Sequence, residues 1–304
     1  MKLKNSFHPY AIVTIVFWSC AYILTRLALQ SFTAYALSLT RYLIASAAML
    51  AVVLVTKMKK PAPRDLKWFL AAGACGFALY VVAFNTGQAT LNSSTSSVII
   101  ALVPVVTPVL ARILYHERLS WIQWTAIGVS FTGVAVLTVL SGGLLLNIGI
   151  IWLLAAVVLL SVYNILQRKL TKSYTALQTS AFSIFMGTAL LLVFLPSSIR
   201  QAAAAPLGAW ICLFVLGTGS SAVAYCAWAA AFARAEKTSS VTNYMFVTPF
   251  LASLLGVVIG GETIPLPTVV GGFIIIAGLL LYSFGGRLTA RLGSGTEARE
   301  TNVM

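Results

Sequence analysis

Ten runs of mostly apolar residues follow one another along this chain, separated only by short polar, glycine- or proline-bearing stretches. A helix needs about 20 apolar residues to cross roughly 30 Å of hydrocarbon. The runs meet that length, at approximately residues 9–29, 34–56, 66–88, 95–114, 121–141, 147–167, 176–195, 207–230, 239–259 and 266–286. Composition identifies the solvent: 60% of residues are hydrophobic and 9% are charged, whereas soluble chains carry about a quarter charged residues. Hydrocarbon offers nothing to an unpaired peptide group, so the spans must be helices or the strands of a closed barrel. The polar-in, apolar-out alternation of barrel strands is absent. The expected fold is an all-α polytopic membrane protein.

The first run follows Lys2 and Lys4 and so has the opening of a secretion signal. It is too long, ends at Arg26 without a small-residue cleavage site, and reads as a retained helix. Basic residues then orient the spans. With both termini in the cytoplasm, 17 of the 20 Lys and Arg fall on inner segments; Arg26 and Arg200 fall outside and Arg41 lies within the second span. Positive residues are retained on the cytoplasmic side, where they also meet anionic lipid headgroups. The formal charge of +14 is thereby spread over many short loops, and no nucleic-acid partner is expected. Cys20, Cys75, Cys212 and Cys226 all lie within spans, without metal or disulfide spacing.

Sliding the chain against itself reveals a repeat. An offset of 145 places Tyr80 on Tyr225, Ser94 on Ser239, Pro104 on Pro249, Glu117 on Glu262 and Gly133 on Gly278. An offset of 142 places Ser19 on Ser161, Ile23 on Ile165, Leu24 on Leu166 and Arg26 on Arg168. The expected division is residues 1–143, 144–286 and a polar cytoplasmic tail, 287–304, read as a short disordered end. Five spans per repeat is an odd number, so the second repeat enters the membrane from the opposite side. Inverted repeats are a recurring transporter architecture, with the site near the midplane.

The stretches SSTSSVIIALVP at 93–104 and TSSVTNYMFVTP at 238–249 are one motif used twice, a hydroxyl-rich start followed by an apolar run and proline. Ten residues of helix rise about 15 Å, which puts Pro104 and Pro249 near mid-membrane. Proline removes a helical hydrogen bond and kinks the helix, and a freed carbonyl there must face protein or water. With Pro108 these are candidate hinges; prolines are also simply commoner in membrane helices.

WSCAYILTRLAL at 18–29, Arg41 within LSLTRYLIA, and the series Tyr80, Ser94, Pro104, Glu117-Arg118-Leu119, Gly128 and Gly133 resemble the drug/metabolite transporter superfamily, specifically its ten-helix EamA-type exporters. Nearly the whole chain takes part. The resemblance implies two EamA repeats, a central cavity lined by helices 1, 3, 4, 6, 8 and 9, and alternating-access movement of small metabolites, usually outward. One departure is that Thr263 follows Glu262 where Arg118 follows Glu117, which leaves Glu262 without an adjacent cation.

Intramembrane polar residues tend to face the bundle interior, because they are costly in lipid. On the helices named, the candidate cavity residues are Trp18, Tyr22, Tyr80, Asn85, Thr95, Ser96, Tyr163, Asn164, Tyr225, Trp228, Ser239, Asn243 and Tyr244, with Gln88, Ser240 and Thr242 beside them. Amides, hydroxyls and aromatic rings suit neutral, zwitterionic or aromatic-bearing solutes; helix-to-helix packing is the alternative use. Arg41, the basic residue inside a span, has no intramembrane acid. It must bond carbonyls, snorkel to the outer headgroups or meet an anionic solute group.

His8 and His116 lie at membrane ends and all acids are in loops or tails, so proton coupling lacks an obvious carrier. A phosphate-cradling loop is absent, as are the nucleophile–base pairs of an enzyme, and no cofactor is expected. Gly256 and Gly260 form a GxxxG pair suited to close packing within the fold or to a homodimer. The sequence thus points to a carrier in a prokaryotic plasma membrane, moving amino acids or related metabolites outward by facilitated diffusion or exchange. Proton-coupled drug or organic-cation efflux and a non-transporting membrane structural protein are the alternatives.

Overall fold

The computed structural model describes residues 6–116, 119–141, 147–235, 241 and 243–300, without the side chains of Asn243 and of 285–300. Its helices are α1 His8–Ala28, α2 Ala34–Val55, α3 Pro63–Thr90, α4 Ser93–Tyr115, α5 Trp121–Leu140, α6 Ile148–Leu170, α7 Ala176–Ala204, α8 Leu207–Arg234 and α9 Tyr244–Gly260. The last, α10, is Leu266–Glu300. No strand occurs among the described residues. Each span has its helix; α9 is the shortest, and residues 236–240 and 242 before it lie outside the described residues. The tail beyond Phe284, expected as a disordered end, instead continues the α10 backbone to Glu300. No proline interrupts it, and extending a formed helix avoids the cost of nucleating a new one.

Several helices begin on a side chain that satisfies the otherwise unpaired first N–H groups. Thr33 caps α2, Asn92 caps α4, and Ser120 with Gln123 and Thr175 with Gln178 form capping boxes on α5 and α7. Thr33 and Thr175 stand 142 residues apart, so the repeats share this start.

Packing follows the repeat as well. α1 packs on α8 and α9 while its counterpart α6 packs on α3 and α4; α2 packs on α8 while α7 packs on α3; α5 meets α10, α4 meets α9 and α2 meets α7. Where a helix meets its own counterpart, the pseudo-two-fold axis must pass between them. Ser46 and Thr188, 142 residues apart, share a hydrogen bond of 2.8 Å there. Between α5 and α10 the match is reciprocal. A Cβ on Gly133 would lie 2.8 Å from the Gly271 carbonyl oxygen, and one on Gly278 would lie 2.9 Å from that of Ala126.

Departures from α geometry also come in pairs. α3 contains a π-helical turn at Ala74–Ala78, and α8 contains one at Val215–Val223. α4 breaks between Ile100 and Val103, and Pro104 falls in the first turn of its second segment, where its missing N–H is harmless. α9 passes through a 3-10 stretch, Asn243–Val247, before Pro249 takes the same place in Thr248–Gly260. Pro108 lies inside the second segment of α4. The outward faces carry large apolar side chains: Val193, Leu207, Val258 and Phe273 are each more than 70% exposed. Such a surface requires lipid against it.

Gly133→Ala and Gly278→Ala force two backbones apart and are each expected to destabilise the protein by about 1–3 kcal/mol. Gly128→Ala meets no atom within 4 Å and is expected to leave stability unchanged or raised. Thermal unfolding in detergent compares the three.

Candidate functional site

Aromatic residues from both repeats converge in the middle of the bundle. Trp18 of α1 lies with its ring centroid 5.7 Å from that of Tyr225 and 5.2 Å from that of Trp228, both on α8. Phe77, in the π turn of α3, stands 5.1 Å from Tyr163 of α6, 5.6 Å from Tyr225 and 5.7 Å from Tyr42 of α2. Tyr80 stacks on Phe84 at 5.8 Å, and Tyr22 meets the same ring at 5.5 Å. Tyr80 and Tyr225, counterparts at the 145 offset, are deep among protein atoms yet keep accessible surface.

Arg41 enters this cluster from α2. Its side chain is 8% exposed, Nε donates to Ser221 Oγ at 3.2 Å, and the guanidinium carbon lies 5.6 Å from the Tyr42 ring centroid. Ser221 belongs to the π turn of α8, and its hydroxyl donates to the Leu216 carbonyl at 3.0 Å. That donor is therefore spent, and the oxygen is left to accept from Arg41. The remaining N–H groups of the guanidinium have no hydrogen-bond partner among the described residues.

The other sequence candidates divide. Trp18, Tyr80, Tyr163, Tyr225 and Trp228 meet in the cluster, with Trp18 Nε1 donating to the Ser220 carbonyl at 3.2 Å. Asn164 is partly buried and reaches Thr107 of α4 at 3.4 Å. Asn85 is fully buried and donates to the Ala34 carbonyl and Ser38 Oγ, so its amide nitrogen ties α3 to α2. Ser96 bonds the Asn92 carbonyl of its own helix. Tyr244 meets His8 Nδ1 at 2.6 Å, near the N-terminal end of α1. Ser239 lies outside the described residues, as do Glu117 and Arg118, and nothing is placed for the Asn243 side chain.

A second feature lies at the opposite end of α1, the end expected to face outward. A cavity of about 610 Å3 opens there, bounded by Ile23, Arg26, Asn92, Thr95, Asn147 and Glu262 among others. Thr95 also pairs with Thr268 of α10 at 2.6 Å. Glu262 has no cation adjacent in sequence, yet it is paired. Its cation comes from another helix: Arg26 Nε lies 3.2 Å from Glu262 Oε1, and the carboxylate side chain is 8% exposed. The same carboxylate accepts from Ser93 N at 2.9 Å and Ser93 Oγ at 3.0 Å, the start of α4. Arg26 Nη1 donates to the carbonyls of Gln88 and Leu91, the end of α3. Anion at a helix N-terminus and cation at a C-terminus both complement the helix dipole. Four segments, α1, α3, α4 and the α9–α10 connection, are joined by one ion pair.

Sequence reasoning missed Tyr42, Phe77 and Ser221 as parts of the cluster. An aromatic residue among many signals nothing by itself, and a π turn has no sequence signature comparable to proline. The Arg26–Glu262 pair did leave a signal: each member has a counterpart in the opposite repeat, Arg168 and Glu117.

Comparison with known proteins places this geometry. The profile described as the EamA-like transporter family matches residues 6–139 and again 147–284. The chain is 32% identical over 281 residues to a protein of Streptantibioticus cattleyicolor named "Probable terminal-alkyne amino-acid exporter", covering 92% of this chain and 94% of that one. It is 29% identical to "Uncharacterized transporter YdfC" of Bacillus subtilis, with 86% of each chain covered. It is 24% identical to "Uncharacterized inner membrane transporter YedA" of Escherichia coli, covering 82% of this chain and 81% of that one. A solved structure described as "Crystal structure of protein" shares the fold with a TM-score of 0.61 at 18% identity, covering 92% of this chain and 97% of that one.

Because Arg26 and Glu262 are partners, alanine at both positions is expected to cost less stability than the two single changes added together. The coupling should be roughly 1 kcal/mol or more, measured by thermal unfolding of the four proteins of the cycle. Additive losses would show that the two side chains act independently.

Proposed function

The chain belongs to the EamA-like transporter family, within the drug/metabolite transporter superfamily, and we propose that it exports amino acids or related small metabolites across the plasma membrane by alternating access. The protein is a multi-pass membrane transporter of small-molecule solutes and not an enzyme. The observation that carries the finer reading is the cluster where helices of both repeats meet. Aromatic rings, hydroxyls and one guanidinium make a site for a small polar or zwitterionic solute with an apolar body. The S. cattleyicolor relative named as an amino-acid exporter supports that solute class.

Movement follows from the inverted repeats. Two similar halves give two similar conformations, each closed at one end, and the breaks before Pro104 and Pro249 are the hinges in this reading. In this reading the basic loops keep both termini in the cytoplasm, beside anionic lipids. At the central cluster the described residues bring no carboxylate or histidine, so the solute moves by facilitated diffusion or exchange. Glu262, at the outer cavity, is held by Arg26 and the start of α4. Close packing around Gly256 is met within the chain by Ser93 and Glu262, which removes the need for a homodimer there.

Purified protein in liposomes, given labelled amino acids, nucleosides and organic cations in turn, tests this reading. Saturable flux is expected for amino acids and unchanged by a pH gradient. Trp18→Ala and Trp228→Ala are expected to lower it about tenfold or more in protein that still unfolds cooperatively. Organic-cation flux driven by a pH gradient would favour proton-coupled efflux instead.

A further inference from the structure

We infer that Arg41 anchors the carboxylate of the transported solute, whose body lies against Tyr80, Tyr225 and their aromatic neighbours. The inference rests on the reading of the protein as a carrier of amino acids or related compounds, and it names the group on the solute that the site recognises.

Charge balance is the first argument. Arg41 lies seven residues into α2, about 10 Å of helical rise from its start, and its side chain turns inward to α8 rather than snorkelling to a headgroup. A guanidinium has five N–H donors; here one is bonded, to Ser221. Among the residues whose side chains are described, the acids are Asp65 and Glu262, and both are engaged elsewhere. Asp65 accepts from Tyr174 at 2.6 Å, and Glu262 is bonded to Arg26 and Ser93. Around Arg41 the groups within electrostatic reach are the phenols of Tyr42, Tyr80 and Tyr225. A buried cation without a counter-ion is costly in a membrane and tends to mark a solute or ion path. A carboxylate accepts two parallel N–H bonds from the guanidinium fork, which a point acceptor does not.

The repeat supplies the second argument. At the 142 offset, the position of Arg41 in the second half is Ser183. The two positions make the same close helix contact: the Arg41 carbonyl oxygen would lie 2.9 Å from a Cβ on Gly217, and that of Ser183 2.7 Å from one on Gly73. The contact is therefore made equally well without a guanidinium, and Ser183 is fully buried with no charge to place. A structural need would bind both halves alike. The charge is present where it reaches Tyr80 and Tyr225, and absent from the mirrored place.

Local geometry supplies the third. The π turn of α8 presents Ser221 as a pure acceptor, because its own proton is held by Leu216. Ser221 thus holds Nε, beside the Tyr42 ring, and the terminal nitrogens keep no hydrogen-bond partner among the described residues. π turns recur at functional sites because they re-aim side chains without breaking the helix.

The test is binding to purified protein, read from tryptophan fluorescence and isothermal titration. Phenylalanine, phenylalaninamide and 3-phenylpropionate are the probes, and wild type is compared with Arg41→Gln and Arg41→Lys. Wild type is expected to bind the acid about tenfold or more tighter than the amide. Arg41→Gln is expected to reduce that preference to about twofold or less while leaving the amide affinity nearly unchanged, and Arg41→Lys to restore part of it. Equal binding of acid and amide by wild type would overturn the inference without any variant having to fold. So would equal weakening of acid and amide in Arg41→Gln. The probe 3-phenylpropionate separates the two readings. Its Arg41-dependent binding in a protein that carries no amino acid would sink amino-acid export and leave the anchor standing. Amino-acid flux without dependence on Arg41 would do the reverse. Failure of all three probes to bind would overturn the anchor.

Discussion

A peptide group in hydrocarbon has no water to bond, and every element of this protein answers to that constraint. Regular helix satisfies it internally, so the described residues form ten helices and the surface toward lipid is left to Leu, Val, Ile and Phe. Irregular backbone is tolerated only against protein or a cavity, which makes each departure from α geometry informative. The π turns of α3 and α8 place Phe77 and Ser221 in the central cluster, and the breaks in α4 and α9 precede Pro104 and Pro249. The same restriction that forbids loops in lipid thus concentrates them where a solute would pass.

Charge is used in two contrasting ways. Arg26 and Glu262 satisfy one another and two helix ends at once, a compensated pair that fastens four segments. Arg41 holds one hydroxyl and meets no acid among the described residues. Placing an arginine at a helix centre costs about 2.5–3.5 kcal/mol on insertion scales, so a fold under no other demand would replace it, as the second repeat does with Ser183. Compensated charge at the rim fastens the fold; uncompensated charge at the centre is available to a ligand.

Much of this was legible in the sequence because hydrophobic length and internal repetition are long-range signals. The spans, the offsets of 142 and 145 and the matched places of Pro104 and Pro249 all follow from residue order alone. Trp18, Tyr80, Tyr163, Tyr225 and Trp228 could be nominated because polar aromatic residues are costly to face toward lipid. Which hydroxyls and amides are consumed by neighbouring helices was not legible. Asn85 and Ser96 have the same chemistry as a solute ligand, and only the structure shows that the Asn85 amide nitrogen goes to Ser38 and the Ser96 hydroxyl to the Asn92 carbonyl. Glu262 looked unpaired because adjacency in sequence was the only measure available, whereas its cation lies far back along the chain on α1. The helical course of α10 beyond Phe284 escaped because composition reports polarity and not the helix that precedes it.

The account's central claim is that the two ends of the bundle open in turn, and a covalent lock across one end tests it most directly. Built Cβ positions put Gly256 of α9 3.3 Å from the Cβ of Ser93 on α4, close to the roughly 3.8 Å of a disulfide. The Glu262 carboxylate is the neighbour that must give way. Ser93→Cys with Gly256→Cys, in a protein whose Cys20, Cys75, Cys212 and Cys226 are replaced by serine, would join the outer ends of α4 and α9 on oxidation. The account predicts that solute flux in liposomes is lost as the bond forms and returns on reduction. Undiminished flux in fully cross-linked protein would mean that this end does not open, and would contradict alternating access between the two repeats.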